Sequence, residues 1–172
     1  MNTSAPPIAP STVTTDKGAV EGVSESGVTV FKGIPYAAPP IGDLRWREPQ
    51  PPDAWEGVRK ADAFGPACIQ PSESMAETNA GGAGPQSEDC LTVNVWTLGA
   101  DPAAKRPVMV WIHGGAYVIG VSNLPAYNGA PFAQKGAVVV SFNYRLGQLG
   151  FFAHPALEAE RPNGPMNFGL LD

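Results

Sequence analysis

The stretch that most restricts how this chain folds is PVMVWIHGGAYVIG, residues 107–120, where five consecutive apolar residues run without a spacer into a histidine, two glycines and an alanine. A continuous apolar run of that length is expected of a strand covered on both faces, as parallel and mixed sheets require. Glycines at the carboxyl end of such a strand let the backbone bend sharply and leave main-chain N–H groups approachable without an intervening Cβ. A plain strand-to-helix turn, with His113 packed in the core, uses the same two glycines. The flanking sequence has to decide between a turn that only turns and one that binds.

Two further runs carry strand signals: LTVNVWT (91–97) alternates, and AVVVSFNY (137–144) is nearly continuous. Between residues 112 and 137 a short helix that Gly136 would end gives strand, crossover, strand, so the order predicts an α/β fold with a parallel or mixed sheet. Earlier, GAVEGVSESGVTVFKGIPYA holds two β-prone runs about the turn-prone SESG, the pattern of an antiparallel hairpin. From Pro39 to Pro66 repeated prolines argue against regular helix or central strand, while Trp46, Trp55 and Phe64 demand burial, which predicts a loop packed flat on the domain. Residues 1–16 lack periodicity and read as a mobile lead to a single domain over 17–172. The Asn2-Thr3-Ser4 glycosylation triplet within it carries little weight, because such triplets arise easily by chance.

Composition removes several classes of function. The net charge is −5, from 11 basic and 16 acidic residues, and the basic residues are scattered, so no nucleic-acid partner is expected. No apolar stretch approaches the ~20 residues a membrane span needs, so no membrane partner is expected either. Met1 is followed by neither a basic segment nor an apolar run, which favours a cytoplasmic location over a secreted one. Cys68 and Cys90 are open to two readings, a disulfide or two thiols, and an oxidised pair would favour a secreted or periplasmic setting. With no CxxC and no histidine close in sequence they do not suggest a metal site.

Five segments in order, VFKGIPYAAPPIGDLRWREPQP (30–51), EDCLTVNVW (88–96), VMVWIHGGAY (108–117), FNYRLGQLGF (142–151) and NFGLLD (167–172), resemble the type-B carboxylesterases, the α/β-hydrolase group that includes the cholinesterases. The resemblance covers nearly everything after residue 16 and implies an incomplete α/β-hydrolase fold: a small amino-terminal antiparallel sheet and the first strands of the mixed central sheet. It implies that Gly114, Gly115 and Ala116 form an oxyanion hole, with the N–H groups of Gly115 and Ala116 as donors and Gly114 making the bend. It implies a disulfide between Cys68 and Cys90 and an ion pair between Arg45 and Glu88, for which two separately solvated charges are the alternative. Residues 69–89 contain no aromatic residue, a departure from cholinesterases that argues against a choline-ester specialist.

The resemblance also implies what these residues do not supply. No G-x-S-x-G elbow occurs; GVSES at 22–26 has Ser26 where the second glycine belongs. The serine, acid and histidine of the triad are expected beyond Asp172, so the chain reads as the amino-terminal segment of a serine carboxylesterase, inactive alone, needing no cofactor and completed by the remainder of the enzyme, with a small-molecule ester as substrate. His113 reads as a support for the turn and His154 as a surface or packing residue rather than a base. A non-catalytic binding protein of the neuroligin type and a degenerate gene fragment are the competing expectations. The apolar ending FGLLD reads as an element whose partners lie elsewhere.

Overall fold

The computed structural model describes residues 11–71 and 84–172. The Asn2-Thr3-Ser4 triplet and most of the segment between the two cysteines fall outside them. Strands β1 (Thr12–Thr14), β2 (Ala19–Glu21) and β5 (Val58–Lys60) form a three-stranded sheet, antiparallel at β1/β2 and parallel at β2/β5. Residues 12–14, expected within an irregular lead, therefore pair with β2. The small sheet departs from the wholly antiparallel one expected because a strand from the proline-rich segment, β5, joins it in parallel. That strand lies at the sheet's margin, where prolines on either side are tolerated.

The main sheet has the order β3 (Val23–Glu25), β4 (Val28–Pro35), β8 (Thr92–Thr97), β10 (Val138–Phe142), β9 (Val108–Trp111), antiparallel except for the parallel pair β10/β9. The hairpin β3/β4 turns through Ser26 and Gly27, both at positive φ (50° and 75°) as its two-residue loop requires. The first β-prone run breaks at Gly22, so its halves enter different sheets. Gly22 is confined there, since a Cβ would lie 2.7 Å from the Val30 oxygen. A third pair, β6 (Ala67–Cys68) with β7 (Gln86–Ser87), is parallel.

Helix α1 (Ala130–Ala133) lies on the crossover from β9 to β10 and packs Ala130 and Ala133 against Val28, Val30, Trp96 and Val139 on one face of the main sheet. Against the other face, Val20 and Ala61 of the small-sheet region meet Phe31, with Ile34 and Val95 alongside. The expectation that the run 107–112 is covered on both faces is not met. Val108 to Ile112 are 43–63% exposed, because β9 forms the sheet edge and is covered only in part, the Trp111 ring meeting that of Tyr127 at 5.1 Å.

The segment from Pro39 to Pro66 lies flat, held by its tryptophans. Trp46 Nε1 donates to Gln148 O at 2.8 Å and Trp55 Nε1 to Ala19 O at 2.8 Å. Phe64 departs from the expected burial, standing exposed beneath the Lys32 ammonium. Short helices α2 (Gly147–Gly150), α3 (Pro155–Glu160) and α4 (Phe168–Leu171) follow β10. Phe168 finds the partner it needs within this chain, buried beside the Arg145 guanidinium, whereas Leu170 and Leu171 remain exposed. Arg145 and Asp172 form an ion pair whose side chains are 3% and 0% exposed, joined from Nε at 2.7 Å and Nη2 at 2.5 Å. Nη1 of the same arginine donates to Arg47 O at 2.9 Å. Breaking such a desolvated pair from one side costs about 3–5 kcal/mol, so the α4 end is firmly joined to the end of β10.

Candidate functional site

The turn that follows β9 is built almost wholly from main chain. Val118 and Ile119 both donate to the Gly115 carbonyl, at 3.0 and 3.1 Å, folding residues 115–119 back on themselves. Gly115 has φ 126°, and a Cβ there would sit 1.8 Å from the Ile119 oxygen, so only glycine fits. Ala116 (φ 53°) and Tyr117 (φ 63°) both lie in the left-handed region, costing of order 1 kcal/mol or more each. Strain of this kind persists only where surrounding contacts over-determine the backbone.

Those contacts come from several directions. Tyr144 Oη donates to the His113 carbonyl at 3.0 Å, and its ring stacks on the His113 imidazole at 4.5 Å. Burial raises the Tyr144 pKa, which keeps this hydroxyl a donor. Gly147 N donates to Tyr117 O at 2.7 Å, and the Tyr117 ring rests against Phe151. Asn143, at the end of β10, accepts from Ser122 N at 2.9 Å and donates to Pro66 O at 3.0 Å. Asn94 on β8 takes the Gly33 amide at 2.9 Å and reaches the hydroxyls of Ser122 and Ser141 at 3.1 and 3.2 Å. A closed polar network of this kind holds residues 121–122 to the sheet, and in a buried setting each satisfied bond also averts a desolvation penalty.

Among the described residues, none accepts a hydrogen bond from the N–H of Gly114, Gly115, Ala116 or Tyr117. Gly114 and Ala116 are exposed and Gly115 is half-buried. Fixed amide donors at the tip of a strand are the group that stabilises a developing oxyanion in acyl transfer.

His113 is buried, with Nδ1 3.0 Å from the Gly114 oxygen. Facing a carbonyl, Nδ1 must carry the proton, which leaves Nε2 as a bare acceptor, and Nε2 has no partner among the described residues. Burial lowers the His113 pKa and so holds the ring neutral. His154 lies elsewhere, exposed at the head of α3, where its Nδ1 accepts from Ala156 N at 3.1 Å.

Cys68 and Cys90 form a disulfide with Cα atoms 5.1 Å apart. In the chain-entropy description, closing a loop of this size contributes roughly 3 kcal/mol. Arg45 meets Glu88 with two parallel bonds, Nε to Oε2 at 2.6 Å and Nη2 to Oε1 at 2.7 Å, and the carboxylate raises the guanidinium pKa. The pair joins the proline-rich segment to the residues just before Cys90.

Sequence reasoning singled out the glycines and His113 but missed Gln70, Asn94, Ser122, Ser141, Asn143 and Tyr144. A polar residue inside an apolar strand run, as Ser141 is in AVVVSF, was the available signal. For the others, the bonds that tie them to the turn or the sheet reach across the chain, from Ser122 to Asn143 up to Gln70 to Gly120, and leave no local pattern.

The architecture superposes on a PNB esterase with a TM-score of 0.82 at 45% identity, over 93% of this chain and 32% of that one, which makes it part of an α/β-hydrolase fold. The chain belongs to the carboxylesterase family, whose characteristic pattern matches residues 9–172. Fumonisin B1 esterase of Sphingopyxis macrogoltabida is 52% identical over 159 residues, 92% of this chain and 29% of its own length. Para-nitrobenzyl esterase of Bacillus subtilis is 46% identical over 163 residues, 93% of this chain and 32% of its own. A cholinesterase of Mus musculus is 40% identical over 93% of this chain and 27% of its own length. The chain thus spans about a third or less of the curated relatives it matches.

Proposed function

We propose that a protein carrying this segment hydrolyses small carboxylic esters through an acyl-serine intermediate, and that this segment supplies the oxyanion hole. The observation that carries the reading is the pair of unaccepted N–H groups of Gly115 and Ala116 on a turn fixed by the contacts of Tyr144, Gly147 and Asn143. A serine oxygen attacks the ester carbonyl, the carbonyl oxygen takes the negative charge, and these amides hold it without having to reorganise. Expulsion of the alcohol leaves the acyl-serine, which water then hydrolyses. The serine, its histidine base and the orienting acid come from sequence beyond Asp172. Ala116 places one methyl beside the donors, at the edge of the acyl pocket.

The 172-residue chain alone is inactive on this reading, because the turn supplies charge stabilisation and no nucleophile. It is also prone to aggregate through the exposed β9 edge. A companion segment carrying the remainder restores fold and activity together. Release of p-nitrophenol from p-nitrophenyl acetate tests this directly: none above background from the isolated chain, turnover from the chain continued past Asp172 or mixed with its remainder. Turnover by the isolated chain would overturn the proposed division of labour.

A further inference from the structure

Gln70 is nine-tenths buried and stands two residues past Cys68, 50 positions from the residue it grips. Its carboxamide makes two bonds to one residue: Oε1 accepts the Gly120 amide at 2.8 Å and Nε2 donates to the Gly120 carbonyl at 2.8 Å. The second Nε2 proton goes to Cys68 O at 3.0 Å. The side chain thus copies the pairing a neighbouring strand would give Gly120, in a place where no strand of the described residues runs. Gln70 is itself held, since its own N–H donates to the Gln86 side chain at 2.9 Å and the β6/β7 pair and the disulfide fix Ala67 and Cys68 just before it.

Gly120 lies against the start of the same turn. It has φ 132°, and a Cβ on it would fall 2.2 Å from His113 Nδ1 and 2.5 Å from the Gly114 oxygen. The two ends of the turn therefore touch through Gly120, and any shift of that residue displaces what His113 and Gly114 rest on. Tyr144 fixes the entering end from the His113 carbonyl. Gln70 fixes the leaving end from Gly120.

We infer that Gln70 is a positioning residue, clamping Gly120 so that the Gly115 and Ala116 amides keep the direction an oxyanion needs. The inference rests on the oxyanion reading above, and it links that turn mechanically to the Cys68–Cys90 loop. Losing one oxyanion donor costs about 10²–10³ in rate, so misdirecting donors that remain present costs a smaller share, about 10–100-fold.

The test uses the full enzyme. In the unaltered protein, residue-resolved hydrogen exchange should show the Gly120 amide protected at least ~100-fold relative to those of Gly115 and Ala116. A Gly120 amide that exchanges as fast as those two would overturn the clamp, and this measurement needs no variant to fold. Gln70→Met keeps length and apolar volume while removing every bond. Per titrated active site it should lower kcat about 10–100-fold with KM within about twofold, and speed exchange across residues 113–120. Unchanged kcat in a folded Gln70→Met enzyme would overturn the positioning role, as would a loss confined to KM. An unaltered enzyme that hydrolyses no ester would instead overturn the oxyanion reading, leaving the exchange data to decide the clamp.

Discussion

Strand β9 and the turn that follows it are neighbours built on opposite terms. Val108 to Ile112 are apolar and exposed along a sheet edge, with only the Trp111 ring meeting a neighbour, Tyr127, among the contacts between described aromatic rings. The next eight residues contain glycines and strained backbone yet are held by Tyr144, Gln70 and Gly147, and by Asn143 just behind them. An apolar strand is completed only by other strands and helices, which bring area. A turn made of main chain is completed by single polar atoms, and a few side chains within this chain supply them. The geometry of the candidate site is thus fixed by contacts within this chain, whereas the sheet that bears it is left open.

Substitutions should separate the two regions. The largest effect is expected from Gly115→Ala, whose Cβ would meet the Ile119 oxygen at 1.8 Å. Ester hydrolysis by the full enzyme should fall by at least ~10² as the turn reopens, read as kcat per titrated site. Next, replacing Cys68 and Cys90 together by serine should cost roughly 3 kcal/mol in denaturant unfolding. If the clamp transmits that loosening, hydrogen exchange at Gly120 should rise more than at β8.

Tyr144→Phe removes only the bond to the His113 carbonyl and should cost about 1 kcal/mol, with kcat falling more than KM rises. Acid should act in the same place. Burial lowers the His113 pKa below its usual value of about 6.5, so the unfolded chain binds a proton that the folded one refuses. The stabilising contribution is complete above that value and is lost as pH falls through the lowered folded pKa. Melting curves between pH 8 and 5 should show this slope in the parent enzyme, and His113→Asn should flatten it. Val110→Lys is the smallest change expected in the isolated chain. It should move stability by under ~0.5 kcal/mol while reducing aggregation, because the edge is exposed there. A large destabilisation would mean that β9 is covered after all.

The turn was legible because its signal is local: an apolar run meeting His113, Gly114 and Gly115. So was the hairpin, from Ser26 and Gly27, and the crossover ended by Gly136. The position of β9 was not legible. Its apolar run and the nearly continuous run of β10 both look like covered strands, yet only β10 occupies the interior, because it pairs with both β8 and β9. Periodicity reports how apolar a strand is, and strand order depends on where the crossover lands. The clamp on Gly120 was hidden for a related reason, since Gln70 sits in CIQP, a string with no periodic or motif signature.

By itself the sequence determined the backbone freedom at Gly115 and Gly120 and the membership of His113 to Ala116 in one strand-tip turn, because those depend on residue type and adjacency. The tertiary structure decided which side chains hold that turn in shape and which strand was left at the edge. Both depend on contacts between residues far apart in the chain, where packing in three dimensions, and no local preference, selects the partner.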